Sequence, residues 1–162
     1  MDIETKNNEV QIRYVANFKE LEKISHIDSL SFYNHCNRKC LENILRNKKA
    51  FAVVALKEEE IVGYILYYVK NNKYIIVRMA VHPEHRRQGC GKLLIEKIGS
   101  KLSLLTKNIE IVVKETNIQA QLFLKSMNFV VVDIIRENFT TYHDDLPSVP
   151  YVEDGIVFRF DK

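Results

Sequence analysis

The sequence predicts a mixed α/β domain in which helices cover both faces of a central sheet. Three observations carry that expectation. The chain has 162 residues, the size of one ordinary domain, and no Pro/Gly/Ser-rich linker divides it. Its composition, 46% hydrophobic and 28% charged, excludes a disordered tail, a collagen-like fibre and a disulfide miniprotein. Its apolar residues alternate between strand and helix spacing in the order β-α-α-β-β-β-α-β-α-β-loop-β. Residues 1–9, polar and mixed in charge, read as an extension, and residues 10–162 as the domain.

Each element has its own signal. Val10–Ala16 alternates as a short strand. Phe18–Asp28 sets Phe18, Leu21, Ile24 and Ile27 on one helical stripe, and Cys36–Asn47 does the same with Leu41, Ile44 and Leu45. Ala50–Leu56 and Ile61–Val69 are dense apolar runs about the polar Lys57–Glu60, which reads as a hairpin. Tyr74–Val81 is another strand, ended by His82-Pro83. Leu93–Leu105 lines one helical face with Leu94, Ile98, Leu102 and Leu105. Ile109–Lys114 is a strand, Asn117–Met127 a helix and Phe129–Ile135 a strand. Phe139–Glu153, with two prolines and three acids, is expected to be irregular before a last strand at Gly155–Phe160.

Charge and cysteine content narrow the function. The net charge is +3, with 13 basic and 10 acidic residues to Val81 and 11 of each after it. No basic half or tail calls for a nucleic acid. No apolar run approaches the roughly 20 residues of a membrane span. The first residues lack the apolar core of an export signal. Three cysteines, Cys36, Cys40 and Cys90, form an odd and sparse set that suits a reducing compartment. The expected location is the cytoplasm, or also the nucleus in a eukaryotic source. His35-Cys36-x-x-x-Cys40 offers three metal ligands without a fourth, so no metal is expected and both thiols should pack on the core.

The chemistry concentrates between the strand at Tyr74–Val81 and the helix that follows it. Only five glycines occur, and two of them, Gly89 and Gly91, stand in Arg86-Arg87-Gln88-Gly89-Cys90-Gly91-Lys92. Such a turn exposes successive backbone N–H groups, and the helix start adds unpaired N–H groups and the positive end of its dipole. That is a phosphate site, with the basic side chains adding charge. It is not a P-loop, which needs Gly-x-x-x-x-Gly-Lys-Ser/Thr, nor a dinucleotide fingerprint, whose third glycine would fall at Leu94.

Taken whole, Met79-Ala80-Val81-His82-Pro83-x-x-Arg86-Arg87-Gln88-Gly89-Cys90-Gly91-Lys92-Leu93-Leu94 resembles the acetyl-CoA motif of the Gcn5-related N-acetyltransferases (GNAT). Asn117-x-x-Ala120-x-x-Phe123-Leu124-Lys125-x-Met127-Asn128-Phe129 is similar to that family's Asn-x-x-Ala-x-x-Leu-Tyr-x-x-x-Gly-Phe. The ending Glu153-Asp154-Gly155-Ile156-Val157-Phe158 resembles the last strand of the RimI-like group, which modifies protein α-amines.

The resemblance implies a single N-acetyltransferase domain over residues 10–162. Its sheet would be twisted and mostly antiparallel, of about seven strands with about four helices. It implies direct transfer from acetyl-CoA, the cosubstrate, to a primary amine, with a protein or peptide N-terminal α-amine as the acceptor. The rivals are a small amine (a polyamine, amino sugar or antibiotic) and a catalytically silent acetyl-CoA-binding domain. A monomer or a homodimer would serve. Met79, Ala80 and Val81 would pair with the pantetheine arm, one backbone N–H polarising the thioester carbonyl. Arg87, Gln88, Gly89, Cys90, Gly91 and Lys92 would hold the pyrophosphate beside Arg86. Asn117 would contact the pantetheine arm, with Ala120 and Phe123 on the same helix counted to the cofactor site.

The chain departs from the family where protons move. The base position falls at Val112 and the thiolate-protonating tyrosine at Leu124. Four residues stand as replacements. Glu110 shares a strand face with Val112. Tyr74 adjoins Ile75, the position of a tyrosine in some N-terminal acetyltransferases, but an offset of one residue turns it to the opposite face unless a bulge intervenes. Tyr142 and His143 precede the last strand, and an imidazole titrating near neutrality suits deprotonation of an amine. Tyr64, Tyr67 and Tyr68 are expected to pack a sheet face. Cys90, between two glycines and beside basic residues, reads as exposed, and two readings stand: a thiol of lowered pKa, or a filler position where members of the resembled family commonly carry an apolar residue. Asp144-Asp145 and Glu153-Asp154 are the carboxylates that would attract a cationic small amine.

Overall fold

The computed structural model describes residues 9–142 and 150–162. Among them are seven strands and four α-helices: β1 (Gln11–Tyr14), α1 (Leu21–Ser29), α2 (Arg38–Leu45), β2 (Ala50–Lys57), β3 (Glu60–Lys70), β4 (Lys73–Val81), α3 (Cys90–Gly99), β5 (Asn108–Lys114), α4 (Ile118–Ser126), β6 (Val130–Tyr142) and β7 (Pro150–Asp161). Short 3-10 turns precede α1 (Phe18–Glu20) and follow β4 (Pro83–His85). The strand order is β1-β2-β3-β4-β5-β7-β6. The ladders β1–β2, β2–β3, β5–β7 and β6–β7 are antiparallel, and β4–β5 is parallel. None of the helices described is long and apolar enough to cross a membrane.

The chain divides into two compact units, and β4 contributes to both. The first comprises the residues up to Val69 with Val77–Lys101. Its core sets Leu21, Ile24 and Ile27 of α1 and Leu41 of α2 against Val54, Leu56, Tyr64, Leu66 and Ala80. The sequence stripes specify that face, and each fully buried Leu or Ile contributes roughly 1.5–3 kcal/mol. β2 and β3 join through Glu58-Glu59, both at positive φ (49° and 67°), the mirror-image turn that matches strand twist. Gly63 of β3 lies close beneath β4. A Cβ there would stand 3.2 Å from the Ala80 carbonyl and 3.3 Å from Val81 Cγ2.

The second unit comprises Lys70–Ile76 with Leu102–Lys162. Its core is Ile109 and Val113 of β5, Leu124 of α4, Phe129 and Phe158, with the Phe129 and Phe160 rings 5.6 Å apart. Asn128 follows α4 at φ 63°. It stands where the resembled motif has glycine, and asparagine is the other residue that tolerates this conformation.

Four expectations need correction. Helix α3 starts at Cys90 and stops at Gly99, not Leu93–Leu105. Beyond it Ser103 Oγ accepts from the N–H groups of Leu105 and Thr106, and this turn leaves Leu104 and Leu105 exposed. The segment expected to be irregular is strand at both ends, paired from Phe139↔Glu153 to Tyr142↔Pro150. Arg136–Asn138 bulge opposite Asp154, whose Oδ1 accepts the Glu137 N–H (3.0 Å), and the ladder then resumes. Helix α2 begins at Arg38, because Asn37 caps it by accepting from the Cys40 N–H (2.9 Å). Cys36 and Cys40, expected as separate thiols, form a disulfide with their Cα atoms 5.5 Å apart.

Candidate active site

In the first unit, β4 delivers Val77–Val81 to the basic turn and helix α3. Ala80 is buried, while Met79 and Val81 are half-buried. The chain leaves the strand through Pro83–His85, where His82 Nδ1 accepts from the Glu84 N–H (3.3 Å). Arg87 and Gly89 then take positive φ, 61° and 85°. Gly89 is the N-cap of α3 and brings no capping side chain. The first helical bond runs from the Leu93 N–H to the Gly89 carbonyl (3.1 Å), so the N–H groups of Cys90, Gly91 and Lys92 precede the ladder. A Cβ on Gly89 would meet nothing within 4 Å, so the space beside the helix start is open at that position. The arrangement fits an anion at the helix start.

The side chains of this turn divide the labour. Arg86, although exposed, is tied back to the fold, its Nε donating to the Val81 carbonyl (2.9 Å) and its Nη2 to Ser31 Oγ (3.1 Å). Gln88 donates to the Glu84 carbonyl and accepts from Lys57 Nζ. Arg87 and Lys92 are exposed. Cys90 corrects the sequence reading: it is 1% exposed, and burial pushes its thiol up more than nearby Lys57 draws it down.

A buried polar cluster in this unit escaped the sequence reading. Asp28, fully buried near the end of α1, accepts from Tyr64 Oη and from Arg78 Nε (2.8 Å) through Oδ1, and from the Cys36 N–H through Oδ2. Tyr64 is fully buried, and burial together with Asp28 pushes its hydroxyl well above the ordinary range. It packs and bonds as a neutral phenol. The available signal was Arg78, a lone charge within the apolar Ile75–Val81 run.

In the second unit, β4 and β5 pair in register from Lys73↔Asn108 to Ile76↔Ile111, without a bulge. Ile75 stands beside Glu110 and Tyr74 beside Ile109, so Tyr74 faces away from Glu110 and Val112. Glu110 and Val112 line an open cavity of about 370 Å³ with Lys73, Ile75, Val157 and Arg159. Glu110 is not a poised base. Lys73 Nζ (2.8 Å) and Arg159 Nε (2.7 Å) both donate to its Oε1. Burial favours its neutral form, but these two cations outweigh burial and hold its carboxyl below the usual range.

Leu124 is buried, so the family's tyrosine position is filled by core. Asn117 caps α4, its Oδ1 accepting from the Ala120 N–H (3.1 Å). Ala120 and Phe123 are half-buried. Glu153 is 3% exposed and holds Lys114 Nζ (2.9 Å) and Thr116 Oγ1 (2.6 Å), while Asp154 holds Arg136. Two of the carboxylates read as bait for a cationic amine are thus satisfied internally. Asp144, Asp145 and His143 lie outside the described residues, and Tyr142 ends β6.

Residues 16–143 match the family model described as an acetyltransferase (GNAT) domain. The chain belongs to the GNAT acetyltransferase family. The expectations of an acetyl-CoA-dependent acetyltransferase and of its seven-stranded, mostly antiparallel sheet both hold. The fold of this acetyltransferase is similar to that of the ribosomal-protein-S18-alanine N-acetyltransferase of Escherichia coli, with 17% identity, 94% of each chain covered and a TM-score of 0.78. Arabidopsis thaliana NAA60 in complex with acetyl-CoA aligns at 15% identity over 94% of this chain and 98% of its own, with a TM-score of 0.77. Ard1 of Thermoplasma volcanium aligns at 19% identity over 94% and 97%, with a TM-score of 0.74. The curated proteins contain no match in sequence.

Proposed function

We propose that this acetyltransferase transfers the acetyl group of acetyl-CoA directly to the α-amine of a protein or peptide N-terminus. The observation that carries the reading is the near end-to-end fold likeness to the S18-alanine N-acetyltransferase, with 94% of each chain covered. The resemblance of Glu153–Phe158 to the last strand of the RimI-like group supports it. The small-amine reading loses two of its supports, because Glu153 and Asp154 already hold Lys114 and Arg136.

Bound acetyl-CoA supplies an activated thioester. This chain's residues do the rest by binding and positioning, which contribute much of the rate when the reactants are held together. The N–H groups of Cys90, Gly91 and Lys92, open at the start of α3, hold the pyrophosphate, with Arg87 and Lys92 adding charge. Gly89 supports this reading, because its φ of 85° and the open space around its Cβ position leave room beside the start of α3. Met79, Ala80 and Val81 present their backbone groups to the pantetheine arm and the acetyl carbonyl. Glu110, paired twice, and Tyr64, buried and neutral, take no part in proton transfer. Of the four replacement candidates, Tyr142 and His143 remain for proton removal from the amine, beside solvent.

Incubation with acetyl-CoA and a panel of N-terminal peptides, read as thiol release and by the mass of the product, tests the acceptor. Acetylated α-amines are expected. Silence across the panel, with acetyl-CoA still bound, counts against the N-terminal acceptor.

A further inference from the structure

Arg78 stands one residue before Met79, in the strand assigned above to the donor. A charge in the middle of Ile75-Ile76-Val77-Arg78-Met79-Ala80-Val81 is costly unless it is met by partners. It is met on three sides within the first unit. Nε donates to Asp28 Oδ1 (2.8 Å), Nη2 donates to the Asn34 carbonyl (2.6 Å), and the guanidinium lies over the Phe32 ring at 4.6 Å. Asp28 also takes the Tyr64 hydroxyl of β3 and the Cys36 N–H. The end of α1, the connection from α1 to α2, β3 and β4 therefore converge on one buried carboxylate. Side chains alternate along a strand, so fixing Arg78 also fixes how the next residues turn their backbone groups.

We propose that Asp28 and Arg78 are a positioning pair for acetyl transfer. They hold β4 in the orientation in which Met79, Ala80 and Val81 meet the donor, and they touch neither the acetyl group nor the acceptor. The proposal rests on the reading of Met79–Val81 as the donor strand. Arginine is specified because only its planar fork spans Asp28 and the Asn34 carbonyl while stacking on Phe32. A pair that merely stabilised the fold would set the folded fraction and leave each folded molecule as active as before.

Arg78→Lys, Asp28→Asn and Phe32→Leu, each in the full chain and well below its melting temperature, separate the two roles. Three quantities are read: the Kd for acetyl-CoA by calorimetry, kcat with an N-terminal peptide, and hydrogen exchange of the Met79–Val81 amides with acetyl-CoA present. In Arg78→Lys and Asp28→Asn, kcat per folded molecule should fall about tenfold or more, since small misplacements of a reacting group cost that much. Acetyl-CoA affinity should move less than about threefold, because the pyrophosphate turn is untouched. Exchange at Met79–Val81 should quicken, and the double variant should be little worse than the poorer single one. Phe32→Leu should show the same pattern, more weakly.

Unchanged exchange and kcat, with only the melting temperature lowered, would overturn the proposal. So would strictly additive losses in kcat. If Asp28→Asn fails to fold, Arg78→Lys and Phe32→Leu decide. If the wild type binds acetyl-CoA but acetylates no peptide, the N-terminal acceptor reading fails, and exchange at Met79–Val81 still decides the pair.

Discussion

Each unit contains a strand that turns into a helix, and the two turns are built to opposite ends. In the first unit the turn before α3 is long and basic and is capped by Gly89, which offers no side chain to the first N–H groups. In the second unit the turn from β5 into α4 is short, and Asn117 caps the Ala120 N–H. Gln121 binds the carbonyls of Lys114 and Glu115, and Glu153 holds Lys114 and Thr116. Both helix starts carry the same dipole and the same orphan donors. The difference lies in who satisfies them. A helix start that meets its own donors is architecture, and one that leaves them open is a place for an anion.

Breaking the open end should have the largest effect. Gly89→Val puts a branched side chain at φ 85°, which costs about 1–2 kcal/mol. It also crowds the space before the α3 donors, so the Kd for acetyl-CoA should rise at least about tenfold by calorimetry. An unchanged Kd would remove the turn from the cofactor site.

The self-capped end should respond in stability alone. Asn117→Ala should lose about 1 kcal/mol in urea unfolding, while Asn117→Asp keeps the capping oxygen and should lose little. Acetyl-CoA affinity is expected to stay within about twofold in Asn117→Asp, the behaviour of a cap whose amide makes no ligand contact. A clear loss of affinity there would return Asn117 to the pantetheine contacts that the resemblance implies.

The smallest effect is expected at Glu110. Glu110→Gln should keep kcat within about twofold at pH 8, whereas loss of a general base costs about 10²-fold or more. The carboxyl is held below its ordinary value of 4.5, so its ion pairs contribute fully at neutral pH. That contribution fades as the pH falls below 4.5 and through the lowered folded value. Melting curves from pH 7 to pH 3 should therefore show less acid destabilisation in Glu110→Gln than in the wild type.

Much of the fold was legible because periodicity reports burial directly. Leu21, Ile24 and Ile27 form the α1 face that their spacing announces, and Ile109 and Val113 alternate as β5 requires. The Gly89 turn was legible for a similar reason, since open backbone donors need glycine locally. The continuation of β6 to Tyr142 was hidden because a three-residue bulge at Arg136–Asn138 breaks the alternation. The end of α3 was hidden because Leu102, Leu104 and Leu105 prolong an apolar pattern that a Ser103 turn redirects.

Local chemistry alone dictates the order of elements, the open glycine turn and the family to which they belong, because each depends on residues close together in the chain. The fate of the charges and thiols depends on the folded chain. Glu110 loses its reading as a base to Lys73 and Arg159, which lie 37 and 49 residues away. Asp28 gains its role from Arg78, 50 residues on, and Cys90 is silenced by burial. Electrostatics and desolvation act through space, so only tertiary structure decides which ionisable groups are spent on holding the protein together and which are left for chemistry.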